Sequence, residues 1–213
     1  MPYPSKTSSR AILKTALGHV EASGLAGLNM RDLAVRLGIT PRSLYRYYPD
    51  RATLEAAIAE AGLRRLRTSL ERAISGKDGT DALRVGARSY RRFARGHRHL
   101  YAVMMMDLRE TPGLQQAREE LWILVVSRAE KLVGPVLAAR AAIALWALVH
   151  GFVQLEESLG SGKPKNGFDI GLEGLLAGLS DLSRAYHKSP ARLSRRMPGE
   201  ADSHKLASLG RNT

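Results

Sequence analysis

Apolar residues return every three or four positions along most of the chain, and no stretch alternates strictly between apolar and polar. That period predicts about nine helices and no sheet, an all-α chain. Ile12, Leu13, Ala16, Leu17 and Val20 mark the inner face of a first helix, which Gly24 ends. Met30, Leu33, Ala34 and Leu37 mark a second, with Asn29 as its cap, Asp32 near its positive end and Gly38 closing it. Thr40 caps a third helix, and Pro41 suits its first position because the N–H that proline lacks has no partner there. Pro49 ends that helix, and Asp50 caps a long fourth one running to about Ser75. Further helices are expected from Thr80, around Tyr101 to Leu108, over Leu114 to Val133, over Leu137 to Leu159 and over Phe168 to Tyr186. Residues 188–213 have no periodic apolar face, are basic, and are expected to form a disordered tail.

The third helix is short for its cargo. The run GITPRSLYRYYPDR, residues 38–51, carries three tyrosines and three arginines. Two short helices joined by Gly38-Ile39-Thr40 have the sequence form of a helix-turn-helix, whose second helix enters the DNA major groove. A helix of about seven residues spans roughly 10 Å, close to the ~12 Å width of that groove. Leu44 is expected to face inward and lock the motif, and Tyr48 to join the core. Arg42, Ser43 and Arg46 are expected to project outward toward base edges, Arg being suited to guanine. Tyr45 and Tyr47 offer hydroxyls to phosphates and rings to thymine methyls. Thr40, Arg51 and Arg31 are placed to hold phosphate, with Arg31 also in reach of a base. The ordinary alternatives are that Tyr45 and Tyr47 pack against the fourth helix and that Arg46 is a solvated charge.

Charge points the same way. The 213 residues include 33 Lys plus Arg against 20 acids, a net charge of +13, which favours a polyanionic partner. With no cysteine, disulfides, thiolate metal sites and a cysteine nucleophile are excluded. The N-terminus lacks the apolar core of a signal peptide, and the longest uncharged apolar stretch, Ala141 to Leu155, is shorter than the ~20 residues of a membrane-spanning helix. A cytoplasmic protein without a membrane partner is expected. The His97/His99 pair lacks a third ligand nearby, and no His-Glu-x-x-His, phosphate loop or nucleophile elbow is present. Glu156 and Glu157 sit at a helix end and are expected to face solvent. No catalytic residue, cofactor or metal is expected.

Residues 10–60 resemble the DNA-binding domain of the TetR family of bacterial transcriptional regulators. The marks are the Ile12/Ala16/Leu17 spacing followed by Gly24, the Leu44-Tyr45 pair, the aromatic pair Tyr47-Tyr48, the basic Arg51 and the Leu54 after it. Tyr48 and Arg51 stand where the family usually has Phe and often Lys, and His19-Val20 replaces a common Leu-Phe pair. The resemblance implies three regions: a DNA-binding domain over residues 1–55, a helical effector-binding and dimerisation domain over 56–187, and the tail. It also implies a homodimer through the last two helices, which are rich in small residues: Ala141, Ala142, Ala144, Ala147 and Gly151 on one, Gly171, Gly174, Ala177 and Gly178 on the other. The Trp146-x-x-x-His150-Gly151 run resembles a Trp-His-Gly subset of the family's C-terminal domains. An effector of unknown identity is expected among Tyr101, Met104, Met105, Trp122, Trp146, His150 and Phe152. The arginine stripe Arg84, Arg88, Arg91, Arg92, Arg95 and Arg98 is expected to be a solvated face, with Arg84 paired to acids; Arg192, Arg195 and Arg196 in the tail are better placed to add weak DNA affinity. The implied function is a repressor released from a palindromic operator by a small molecule. The alternative is an effector-insensitive architectural DNA-binding protein.

Overall fold

The computed structural model describes residues 8–158 and 167–188. Those residues form α1 (Ser9–Ser23), α2 (Met30–Arg36), α3 (Pro41–Tyr45), α4 (Arg51–Ile74), α5 (Gly79–Gly96), α6 (Arg98–Met104), α7 (Pro112–Val133), α8 (Pro135–Ser158) and α9 (Gly167–Lys188), with no strand among them. Residues 159–166, between the last two helices, and the tail beyond Lys188, with its arginines, lie outside the described residues.

Local chemistry sets most helix ends. The Ser8 hydroxyl accepts the Ala11 N–H at 3.2 Å and starts α1. Gly24, at φ 75°, closes it by returning its N–H to the Val20 carbonyl at 2.8 Å. Asp50 starts α4 by accepting the Thr53 N–H at 2.8 Å, while its second oxygen accepts from Arg109 at 2.5 Å. The Thr53 bonds, backbone first, and then Arg109 hold the Asp50 carboxyl down to about 2.

The α4 helix joins the two parts of the molecule. Its first half buries Leu54 and Ile58 beside α1, and its second half buries Leu66, Leu70 and Ile74 among α5 and α7. One apolar cluster therefore runs from Ile12 to Leu179. The α6 helix lies against both α1 and α4. At that junction Glu21 of α1 receives Arg65 at 2.6 Å and His97 at 3.3 Å, and its carbonyl lies 3.1 Å from His99 Nδ1.

Two helices differ from the sequence expectation. The α6 helix starts at Arg98 and stops at Met104, because Leu100, Tyr101, Val103 and Met104 supply its buried face and Met106 and Asp107 beyond them are exposed. The α3 helix ends at Tyr45 rather than at Tyr48. The N–H groups of Tyr47 and Tyr48 both turn onto the Leu44 carbonyl, and Pro49 disfavours helical backbone at the residue before it.

Residues Pro135–Glu156 of α8 are long and apolar enough by composition to cross a membrane, a longer span than the uncharged stretch the sequence marks, since Arg140 is its one charge before Glu156. The helix is packed within the fold instead: Leu137, Ala141, Ala142, Leu145, Val149 and Val153 are buried, and α5, α7 and α9 lie against it. The α5 arginines reach across to the end of the chain. Arg84 is held by Glu173 at 2.7 Å, Arg88 by Asp169 at 2.9 Å, and Arg91 by Glu156 while lying 4.5 Å over the Phe168 ring. Glu156 is thus half-buried and paired rather than facing solvent, because α5 brings Arg91 and Arg95 to the end of α8.

Candidate nucleic-acid interface and effector cavity

The α2–α3 unit is built from caps and one buried leucine. Asn29 Oδ1 accepts the Arg31 N–H at 2.8 Å and starts α2. Gly38, at φ 63°, makes the turn, and the Ile39 N–H reaches back to the Ala34 carbonyl at 3.0 Å. Thr40 Oγ1 accepts the Ser43 N–H at 3.2 Å and lies 3.0 Å from the Ser43 hydroxyl. Leu44 is fully buried, and Tyr48 is buried with its hydroxyl donating to the Ser9 carbonyl at 3.3 Å. Those two anchors force the alternate side chains outward.

Arg31, Thr40, Arg42, Tyr45, Arg46 and Arg51 are exposed, while Ser43 and Tyr47 are half-buried. Tyr45 keeps 43% of its surface in solvent, a poor placement for filler and a suitable one for a contact. Arg46 lies 5.8 Å from the Tyr47 ring centroid, and Tyr47 packs in part against the core. Arg51 is already engaged, with Glu55 at 2.6 Å and the Leu25 carbonyl at 3.1 Å, so its charge is oriented but not idle. Sequence reasoning overlooked Val35, which is 76% exposed on α2. The signal was present: it falls off the stripe formed by Met30, Leu33, Ala34 and Leu37.

In the larger part, α4, α5, α7 and α8 line a half-open cavity of about 70 Å3. Its walls are mainly Leu70, Leu83, Ala87, Leu124, Leu145 and Val149, with Tyr90, Trp146 and Arg128 as the polar members. Of the seven residues expected at an effector site, Trp146 alone lines this cavity. Tyr101 and Met104 are buried in the core beneath α6; Met105, Trp122 and Phe152 pack partly against it, Phe152 edge-on to Phe168 at 5.7 Å.

His150 and Tyr101 stand one step behind the wall. Trp146 donates its indole N–H to the Tyr90 hydroxyl at 3.2 Å, Tyr90 and Tyr101 hydroxyls lie 3.4 Å apart, and Tyr101 meets His150 Nδ1 at 2.8 Å. Trp146 also stacks on His150 at 5.4 Å. Burial pushes the His150 pKa down and the Tyr90 pKa up, so both favour their neutral forms. The four rings join α5, α6 and α8 in one polar chain.

The family model for the N-terminal region of bacterial regulatory proteins of the TetR family matches residues 12–62. A second, the tetracyclin repressor-like C-terminal domain, matches residues 83–173. An uncharacterised HTH-type transcriptional regulator of Mycobacterium tuberculosis, Rv0681, is 29% identical over 159 residues, 72% of each chain. A protein of unknown function from Rhodococcus sp. RHA1 superposes with a TM-score of 0.68 at 26% identity, over 87% of this chain and 98% of that one. A TetR variant from Acinetobacter baumannii in complex with minocycline shares the fold, with a TM-score of 0.57 at 21% identity over 85% and 97% of the two chains. Apo ActR from Streptomyces coelicolor does so at 0.60 and 22%, over 86% and 99%. A helix-turn-helix unit of α2 and α3, a larger all-helical part around α4, and matches to both halves of one family lead to a single assignment: the chain belongs to the TetR family of DNA-binding transcriptional regulators.

Proposed function

We propose that the protein is a homodimeric repressor that occupies a palindromic operator and leaves it when a small molecule fills the cavity. Residues 1–55 bind DNA, residues 56–187 bind effector and partner. Arg42, Ser43, Arg46 and Tyr45 meet base edges and methyls; Thr40, Tyr47, Arg51 and Arg31 hold phosphates. The observation that carries the DNA part is the outward presentation of Arg42, Tyr45 and Arg46 by a helix whose one buried side chain is Leu44.

The proposed dimer face is the exposed side of α8 and α9. Ile143 and Leu155 on α8, and Ile170 and Leu182 on α9, leave apolar surface in solvent. Between them Gly174 and Gly178 have open space where a Cβ would sit, whereas a Cβ on Gly171 would meet Leu148 of the same subunit at 3.2 Å. Glycine inside a helix costs about 1 kcal/mol relative to alanine. Nothing among the described residues explains that cost at Gly174 and Gly178; close approach of a partner helix does. A dimer places two α3 helices on half-sites about 34–36 Å apart.

The Trp146-x-x-x-His150-Gly151 run, read as the Trp-His-Gly signature, would then be the back wall of the effector site. Its stack and its bond to Tyr101 support that reading. Tyr101 belongs to α6, which touches α1, so a ligand that displaces the Trp146–Tyr90 bond acts on an element bearing on the DNA-binding part. Selection from genomic fragments followed by footprinting tests the whole: a discrete palindrome supports the repressor, and uniform protection supports an architectural coat.

A further inference from the structure

Arg128 is the odd member of the cavity wall. It stands on α7, about one turn after Leu124 and Val125, which line the same cavity. Its Nε is fully buried and, among the described residues, has no hydrogen-bond partner; no ion pair holds its guanidinium either. A buried guanidinium N–H without an acceptor costs free energy, and native folds seldom retain one without use.

Asp78 feels the charge of Arg128 but does not bond it. Asp78 accepts from Lys131 Nζ at 2.8 Å, and that hydrogen bond and charge are the first causes of its lowered pKa; Arg128 contributes only a smaller, through-space part. Lys131 is matched by Asp78, so Arg128 alone puts a positive charge on the α7 side of the cavity, while the remaining walls are apolar apart from the Tyr90 hydroxyl and the Trp146 indole N–H.

We infer that the cavity takes a small anionic amphiphile, a carboxylate on a short apolar chain, with the carboxylate on Arg128 and the chain against Leu83, Ala87, Leu145 and Val149. This rests on the effector reading of the cavity and narrows its ligand to a chemical class. A carboxylate accepts from Arg through charge-assisted bonds, which supplies the acceptor that Nε lacks. The space, room for roughly five waters, suits a short chain rather than a long one. A cation would leave Arg128 unpaired, and a neutral polyol would supply an acceptor without the opposing charge.

The test uses the full-length protein and two ligands of equal chain length, pentanoate and 1-pentanol, measured by titration calorimetry. Trp122→Phe leaves Trp146 as the sole indole, so its fluorescence reports whether either ligand reaches the cavity. The expected result is pentanoate binding at least about tenfold tighter than 1-pentanol, the equivalent of one charge-assisted hydrogen bond, with a change in Trp146 emission. Arg128→Met should bring the two ligands within about twofold of each other while 1-pentanol still binds, which also shows that the variant is folded. Pentanol binding as tightly as pentanoate to the unmodified protein, or a pentanoate preference that survives Arg128→Met, overturns the anionic class and leaves the effector cavity standing. No binding of either overturns both. Pentanoate bound through Arg128 without release of operator DNA upholds this assignment and sinks ligand-driven release.

Discussion

The two ends of the protein put their function-bearing side chains in place by different means. On the α2–α3 unit the geometry is local: Asn29, Thr40 and Gly38 set the helix ends, Leu44 and Tyr48 point inward, and the residues between them have nowhere to go but out. In the larger part four helices separated in sequence by up to about eighty residues meet around one cavity, and no short segment defines it. The first design presents a surface to a partner of fixed shape. The second surrounds a volume that, on the proposed function, a small molecule fills. A ligand-released regulator needs both, and α4 is continuous between them.

The largest effect should come from the proposed partner face, because it multiplies the reading head. Gly178→Leu puts a branched side chain where a partner helix is expected and open space exists within the subunit. Operator affinity should fall by about 10²–10⁴-fold, the scale of a lost bivalent advantage, with unchanged helical circular dichroism and a monomer in analytical ultracentrifugation. A dimer that persists with full affinity would place the interface elsewhere.

Within the head, Leu44→Ala removes the anchor beneath α3. Stability should drop by about 2–5 kcal/mol in chemical denaturation, as for other fully buried leucines. A loss near zero would mean that the unit collapses around the gap and that Leu44 is not what aims its neighbours.

The smallest effect distinguishes the cavity. Burial lowers the His150 pKa, so the folded protein binds its proton later than the unfolded chain as pH falls. The stabilisation is complete above the unfolded value of about 6.5 and declines as pH drops below it. His150→Gln should flatten the stability difference between pH 7.5 and pH 5.5 measured by thermal melting. An unchanged acid slope would assign it to other groups.

The head was legible in the sequence because its determinants are neighbours. Asn29, Thr40 and Asp50 were readable as caps, and each accepts the backbone N–H that a cap should. Residues 41–45 end earlier than Pro49 alone implies, since the Leu44 carbonyl collects two N–H groups ahead of it. The cavity was not legible in the same way. Tyr101 and Met104 look like pocket residues by type, yet α6 packs them into the core against α4 and α1. Leu83 and Leu145 look like plain core, yet α5 and α8 stand just far enough apart to leave space between them. Arg128 carried a signal that went unread: it is the one charged residue in the stretch from Leu121 to Ala129.

The central claim is that α3 is aimed at duplex DNA, and Tyr45→Ala tests it most directly. Equilibrium binding to the footprinted operator and to a scrambled duplex, at physiological salt, should show specific affinity lost while the scrambled duplex binds as before and the dimer stays folded. Specific affinity that survives the change, with the same footprint, would mean that the tyrosine presented by that short helix does not read DNA.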